Sequence, residues 1–148
     1  MELPTDEFFM KEALKEAQKA YEAGEIPVGA VVVCQNKIIA RAHNQTEQLK
    51  DATAHAEMLA ITSAASYLGS KYLDECTLYV TLEPCPMCAG ALHWSQLHRL
   101  VYGANDVQRG YHLVKSALLH PKTEVTKGIK REEGAALMDR FFRMIREK

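Results

Sequence analysis

Thr77-Leu78-Tyr79-Val80-Thr81-Leu82-Glu83-Pro84-Cys85-Pro86-Met87-Cys88-Ala89-Gly90-Ala91 is the stretch that decides the architecture. It opens with a short β-rich apolar run, Thr77 to Thr81, and passes through proline into a run that reads as helix from Pro86 to about Leu97. A second apolar run, Arg99 to Tyr102, follows, so the unit is strand, helix, strand and predicts parallel neighbours inside a sheet. Proline favours the first helical position, where its fixed φ fits and its missing N–H is no loss. That places Cys85 at the cap and Cys88 within the first turn, and residues three apart share a face, so both sulfurs can address one point. Unpaired backbone N–H groups and the positive end of the helix dipole favour thiolate there.

Upstream, Thr53 to about Leu68 reads as a second helix, with no charged residue between Glu57 and Lys71, so cover on most sides is expected. On this reading His55 lies in its first turn and Glu57 is a lone carboxylate near its head. Gly29 to Cys34 (GAVVVC) and Lys37 to His43 (KIIARAH) are strands joined by Gln35-Asn36 as a tight hairpin. Before them Thr5 caps a helix with Met10, Ala13, Leu14, Ala17 and Tyr21 inward, Lys11, Glu12, Lys15 and Lys19 outward, and Gly24 as its stop. Downstream, a strand is expected at Glu124 to Thr126, then a final helix from Arg131 to Lys148 with Met138, Phe141, Phe142 and Ile145 inward.

The 148 residues are 47% hydrophobic and 25% charged, which suits one compact domain over 1–148, and no repeat or linker is seen. A net charge of -1 excludes a protein that grips nucleic acid through its whole surface, but leaves room for a local basic patch. No apolar run approaches a membrane span, and Glu2, Asp6 and Glu7 are unlike a secretory leader, so a cytoplasmic protein without membrane contact is expected. Cys34 and Cys76 are scattered, whereas Cys85 and Cys88 have the spacing of metal or redox chemistry.

A catalytic zinc site commonly keeps three protein ligands and leaves the fourth position to water, and His55, Cys85 and Cys88 supply that number. A structural site would want a fourth Cys or His, and neither Cys34 nor Cys76 has a paired CxxC spacing. Two thiolates and a neutral imidazole leave a zinc ion formally uncharged, able to bring the pKa of a bound water toward ~7. Glu57, two residues after His55, is the candidate proton carrier.

His55-Ala56-Glu57 together with Pro84-Cys85-Pro86-Met87-Cys88 resembles the HxE and PCxxC signature of the zinc nucleobase deaminases. Glu25-Ile26-Pro27-Val28-Gly29-Ala30, Asp51-Ala52-Thr53-Ala54, Thr77 to Cys85 and Cys88-Ala89-Gly90-Ala91 extend the likeness over nearly the whole chain, to the bacterial tRNA-specific adenosine deaminases. The resemblance implies a three-layer α/β/α cytidine deaminase-like fold with a five-stranded mixed sheet, a homodimer, and one Zn2+ per subunit. It also implies conversion of adenosine to inosine at the wobble position of a tRNA anticodon stem-loop. It implies base contact by Asn44 and a substrate pocket walled by Val28, Ala54, Ala56 and Pro84. Asn44 reads equally well as a turn residue leaving a strand, and His43 beside it as structural. The final helix also resembles that family, implying RNA contact by Arg140, Phe142, Arg143 and Arg146, with Lys148 in the same basic patch. An amphipathic helix with Phe141 and Phe142 in the core explains the two aromatics too.

The chain leaves the family pattern after Asp106, where Gly110 precedes Tyr111-His112-Leu113-Val114 in place of small residues, and bulkier side chains there would reshape the substrate rim. Ala52 replaces a common proline, and Trp94 lies near the position of a family histidine. Two other functions therefore compete. One keeps the chemistry on a free base or nucleoside such as guanine or cytosine. The other is an inactive zinc-stabilised RNA-binding subunit, against which an open three-ligand site with Glu57 argues.

Overall fold

A computed structural model describes residues 3–147. In chain order it contains α1 (Asp6–Glu22), β1 (Gly29–Cys34), β2 (Lys37–His43), α2 (Ala56–Leu68), β3 (Cys76–Leu82), α3 (Pro86–Trp94), β4 (Arg99–Ala104), a 3-10 turn (Tyr111–Leu113), β5 (Glu124–Lys127) and α4 (Arg131–Arg146). The strands form one mixed sheet in the order β2-β1-β3-β4-β5. β1 runs antiparallel to β2 and β3, and β3, β4 and β5 are parallel to one another. The expected hairpin is present, with Gln35 and Asn36 at φ 52° and 63°, the left-handed backbone that a two-residue type I′ turn needs at both central positions.

Period-two alternation divides the sheet between two cores. Val31, Val33, Tyr79 and Val101 meet Phe9, Met10 and Ala13 of α1. Ala30, Val32, Leu78, Val80 and Leu100 meet Ala56, Ala60 and Ala64 of α2 and Leu92 of α3. With α4 packed on the α1 side, the arrangement is the expected three-layer α/β/α sandwich. No described helix is long and apolar enough to cross a membrane.

Thr5 caps α1 as expected, its Oγ1 accepting the Phe8 N–H at 3.1 Å, and Gly24 follows the last turn at φ 78°. Glu12 departs from its expected solvent position. It is buried, accepting from Arg41 at 2.6 Å and paired with Lys15 at 2.7 Å, because α1 lies across Arg41 on the edge strand β2. Leu14 and Tyr21 are only half-buried, while Phe9 and Ala20 complete the inner face.

Asp6 closes the other end of that layer, accepting two bonds from Arg99 at 2.9 and 2.7 Å and one from the Tyr79 hydroxyl at 2.7 Å. The Arg99 guanidinium holds its carboxyl below the usual value of 3.8. A carboxyl depressed on folding stabilises the protein above its unfolded pKa, and that stability is lost as pH falls through the lower folded value. Asp6→Asn should therefore flatten the decline of stability below about pH 4 in urea melts, leaving the shape of the curve near neutrality unchanged.

The other three helices also differ from their sequence reading. α2 starts at Ala56 rather than Thr53, and only Ala56, Glu57, Ala60 and Ala64 are buried, so its other side, including Tyr67 at 70% exposure, is open. α3 stops at Trp94, where Ser95 Oγ donates to Ala91 O at 2.8 Å and Gln96 turns to φ 54°. In α4 Phe141 is buried, but Phe142 and Ile145 point outward, and Met144 turns inward to meet the Tyr21 hydroxyl at 3.9 Å. The described helix ends at Arg146, and Lys148 lies outside the described residues.

Candidate metal centre

β3 ends at Leu82, and three residues later Cys85 is the cap residue of α3, with Pro86 opening the helix and Cys88 in its first turn. His55 is likewise the cap residue of α2 and not inside its first turn. The reason is Asp51, whose carboxylate accepts the Thr53 N–H at 2.8 Å and the Thr53 hydroxyl at 2.7 Å, while its carbonyl accepts the Ala54 N–H at 3.1 Å. Thr53 is thus held in a turn, and the helix begins only after His55.

His55 Nδ1 lies 3.6 Å from Cys85 Sγ and 3.5 Å from Cys88 Sγ. All three donor atoms fall within 4.8 Å of one another. Zinc at ~2.0 Å from nitrogen and ~2.3 Å from sulfur in tetrahedral geometry requires an N···S edge of ~3.6 Å, so the donor set fits that ion. Cys85 is held down to about 4 by its hydrogen bond with Cys88, which in turn is pushed up by that contact and by burial. His55 is raised by its hydrogen bond with Cys85. A metal ion taking both sulfurs as thiolates must therefore displace a proton from the pair.

Glu57, in the first turn of α2, is 4% exposed, and burial pushes its carboxyl up to about 7. A carboxyl in that range can both take and release a proton near neutrality.

Of the residues expected around the substrate, backbone bonds bring Val28, Asn44 and Ala54 together. The Asn44 N–H donates to Val28 O at 3.0 Å, and the Gln45 N–H donates to Ala54 O at 3.0 Å. Ala54, Ala56 and Pro84 are buried and Val28 is half-buried. Asn44 is buried, and its Nδ2 donates to Ile26 O at 3.3 Å. Its Oδ1 is a buried polar atom without a hydrogen-bond partner among the described residues, a feature a simple turn residue does not need and a ligand donor would satisfy. The His43 Nδ1 lies 3.7 Å from the carboxylate of Glu16 on α1.

Two buried carboxylates hold the surrounding loops and were given no role by the sequence. Glu25 accepts the N–H groups of Glu47 and Gln48 at 3.0 and 2.7 Å, fixing the loop between Asn44 and Ala54. Glu83 accepts the N–H groups of Asp106 and His112 at 3.0 and 2.9 Å and the His112 ring Nδ1 at 2.7 Å. Tyr111 N–H adds a bond to Pro84 O at 2.9 Å, so the divergent segment is tied to the residues just before Cys85. A Cβ at Gly110 would overlap the Glu83 carboxyl, which explains glycine there. The available signal was an acid set beside glycine or proline in an otherwise apolar run, Gly24-Glu25-Ile26 and Leu82-Glu83-Pro84.

Of the C-terminal candidates, Phe142, Arg143 and Arg146 line one cavity of about 390 Å³ with Gln108 and Asp139. Arg140 is not part of it, since its guanidinium lies 5.4 Å from the Tyr21 ring on α1.

A bacterial relative from Bacillus subtilis (strain 168), a tRNA-specific adenosine deaminase, is 47% identical, with the match covering 97% of this chain and 92% of the relative. A solved structure from biochemical and structural studies of A-to-I editing by tRNA:A34 deaminases is 41% identical with a TM-score of 0.81, covering 87% of this chain and 97% of that one. A guanine deaminase from Nitrosomonas europaea superposes with a TM-score of 0.79 at 25% identity, covering 95% and 86%. Residues 3–104, which carry His55, Glu57, Cys85 and Cys88, match the cytidine and deoxycytidylate deaminase zinc-binding region, and with that match and these relatives the chain belongs to the cytidine and deoxycytidylate deaminase family.

Proposed function

We propose that this protein deaminates adenosine hydrolytically to inosine at the wobble position of a tRNA anticodon. The observation that carries the reading is the His55, Cys85 and Cys88 donor set at zinc-compatible separations, beside buried Glu57. The named activities of the B. subtilis relative and of the 41% identical structure support the substrate. His55, Cys85 and Cys88 would hold one zinc ion per subunit, which would supply the Lewis acidity that makes a water nucleophilic near neutral pH. Glu57 accepts that water's proton as oxygen attacks adenine C6 and delivers it to the ring nitrogen. It then carries the remaining hydroxyl proton from the C6 oxygen to the amine, whose C–N bond breaks as C6=O forms, so that adenosine and water give inosine and ammonia. Asn44 Oδ1 takes a hydrogen bond from the base, and Val28, Ala54, Ala56 and Pro84 form the apolar walls around it.

An anticodon base must leave its loop to enter such a pocket. Phe142, Arg143 and Arg146 offer the loop a stacking surface and two cations at one cavity, which suits single-stranded RNA. The open, uncharged side of α2, with Tyr67 and Leu68 exposed, supports a homodimer through that face.

Zinc-loaded protein incubated with a wobble-adenosine anticodon stem-loop should release ammonia and yield inosine at that one position by sequencing. The same protein should leave free guanine, cytosine and adenosine unchanged. Turnover of guanine with none on the stem-loop would move the assignment to a free-base deaminase. RNA binding with no deamination of any of these would move it to a binding subunit.

A further inference from the structure

Cys34 and Cys76 take no part in the metal centre, yet the sheet sets them face to face. They are direct partners in the antiparallel β1–β3 ladder, the final pair of that register. Opposed antiparallel residues have Cα atoms ~4.5 to ~5.5 Å apart with side chains on one face. A disulfide spans Cα separations of ~4.4 to ~6.8 Å, a range that includes this cross-strand spacing. Both side chains belong to the core on the α2 and α3 side of the sheet, where Cys34 packs against the cluster containing Cys76.

Their exposures differ in a useful way. Cys76 is fully buried, whereas Cys34 is half-buried at the end of β1, beside the exposed Gln35-Asn36 turn. Both are free thiols. Burial and the neighbouring Cys34 sulfur push the Cys76 thiol up to about 12, so Cys76 is a poor first nucleophile and Cys34 is the accessible one. The metal-binding cysteines cannot compete for either partner. β3 runs from Cys76 to Leu82 before reaching Cys85, which puts the two pairs ~20 Å apart at opposite ends of the strand.

We propose that Cys34 and Cys76 form a peroxide-responsive modification site that closes reversibly to a cross-strand disulfide. Cys34 sulfur attacks a hydroperoxide oxygen, breaking the O–O bond and giving Cys34 sulfenic acid and water, or an alcohol from an organic peroxide. Cys76 sulfur then attacks the sulfenic sulfur, the S–O bond breaks, and the hydroxyl leaves as water with the Cys76 proton. Two thiols are oxidised, one peroxide is reduced, and a dithiol reductant reverses the change.

Zinc-loaded protein should be treated with hydrogen peroxide and read by intact mass and peptide mapping, neither of which depends on deaminase activity. The expected result is a mass lower by two hydrogens, one peptide cross-link joining Cys34 to Cys76, reversal by dithiothreitol, and retained zinc. The oxidised form should melt about 5 °C higher, because the bond closes a long loop of the unfolded chain. Cys34→Ser, at the half-exposed position, should keep the fold and lose the cross-link. In Cys76→Ser, Cys34 should instead be captured by dimedone as the sulfenic acid. Wild-type protein in which Cys34 stays reduced, gives an over-oxidised adduct, or links only to a second chain overturns the proposal.

Discussion

Glu57→Ala should lower kcat on the anticodon stem-loop by roughly 10² to 10⁴-fold while zinc content stays at the wild-type level. The carboxyl is buried at the head of α2, two residues from His55, but it is not among the three donors that meet at the metal position. Removing it should leave ligand geometry intact and delete the only acid proposed to pass protons between water, ring nitrogen and amine. Elemental analysis and single-turnover kinetics on one preparation separate the two effects. Loss of zinc along with activity would make Glu57 a structural support of the site, and unaltered turnover would remove it from the mechanism.

Gly29→Ala should lower the melting temperature by about 10 °C, the size expected when a methyl group is forced into packed backbone. Gly29 begins β1 on the face covered by α1, and its N–H donates to Thr81 Oγ1 at 3.2 Å. An added Cβ would overlap the Ala13 carbonyl oxygen and the Ala17 amide nitrogen, both main-chain atoms of α1. Side-chain rearrangement cannot relieve that overlap, so the helix itself must lift from the sheet. A second substitution, Ala17→Gly, should restore nothing in thermal melts. Recovery in that double variant would show the contact to be a side-chain matter. Gly29 adjoins Val28, whose carbonyl accepts the Asn44 N–H, so the lifted helix should also reduce deamination.

Local signals carried the hairpin, the strand-helix-strand unit and the metal set, because each rests on short-range chemistry. Gln35-Asn36 suits a left-handed turn, Pro86 starts a helix, and His55, Cys85 and Cys88 are donors whatever surrounds them. What remained hidden depends on partners distant in sequence. Glu12 looks like a solvent-facing acid until Arg41 of β2 is brought beneath it. Asp51 delays the start of α2 through a turn that competes with the helix for Thr53. Phe142 has the spacing of a core residue, but Phe141 takes that position against Tyr21, with ring centroids 6.4 Å apart. The uncharged run after Glu57 suggested burial, whereas within this chain it forms an open helix face. Glu25 and Glu83 stood in the quoted motifs, and their importance emerged only from the loop amides converging on them.

The position of β3 has a further consequence for how the molecule opens. It is hydrogen-bonded on both sides, to β1 and β4, and covered on both faces, whereas β5 is an exposed edge strand of four residues. Amide hydrogen exchange should therefore be slowest in Leu78 to Val80 and much faster in β5. The stretch that presents Cys85 and Cys88 grows from the central strand of the sheet, so the protein can fray at its β5 margin while the sulfurs of the candidate metal site stay in place.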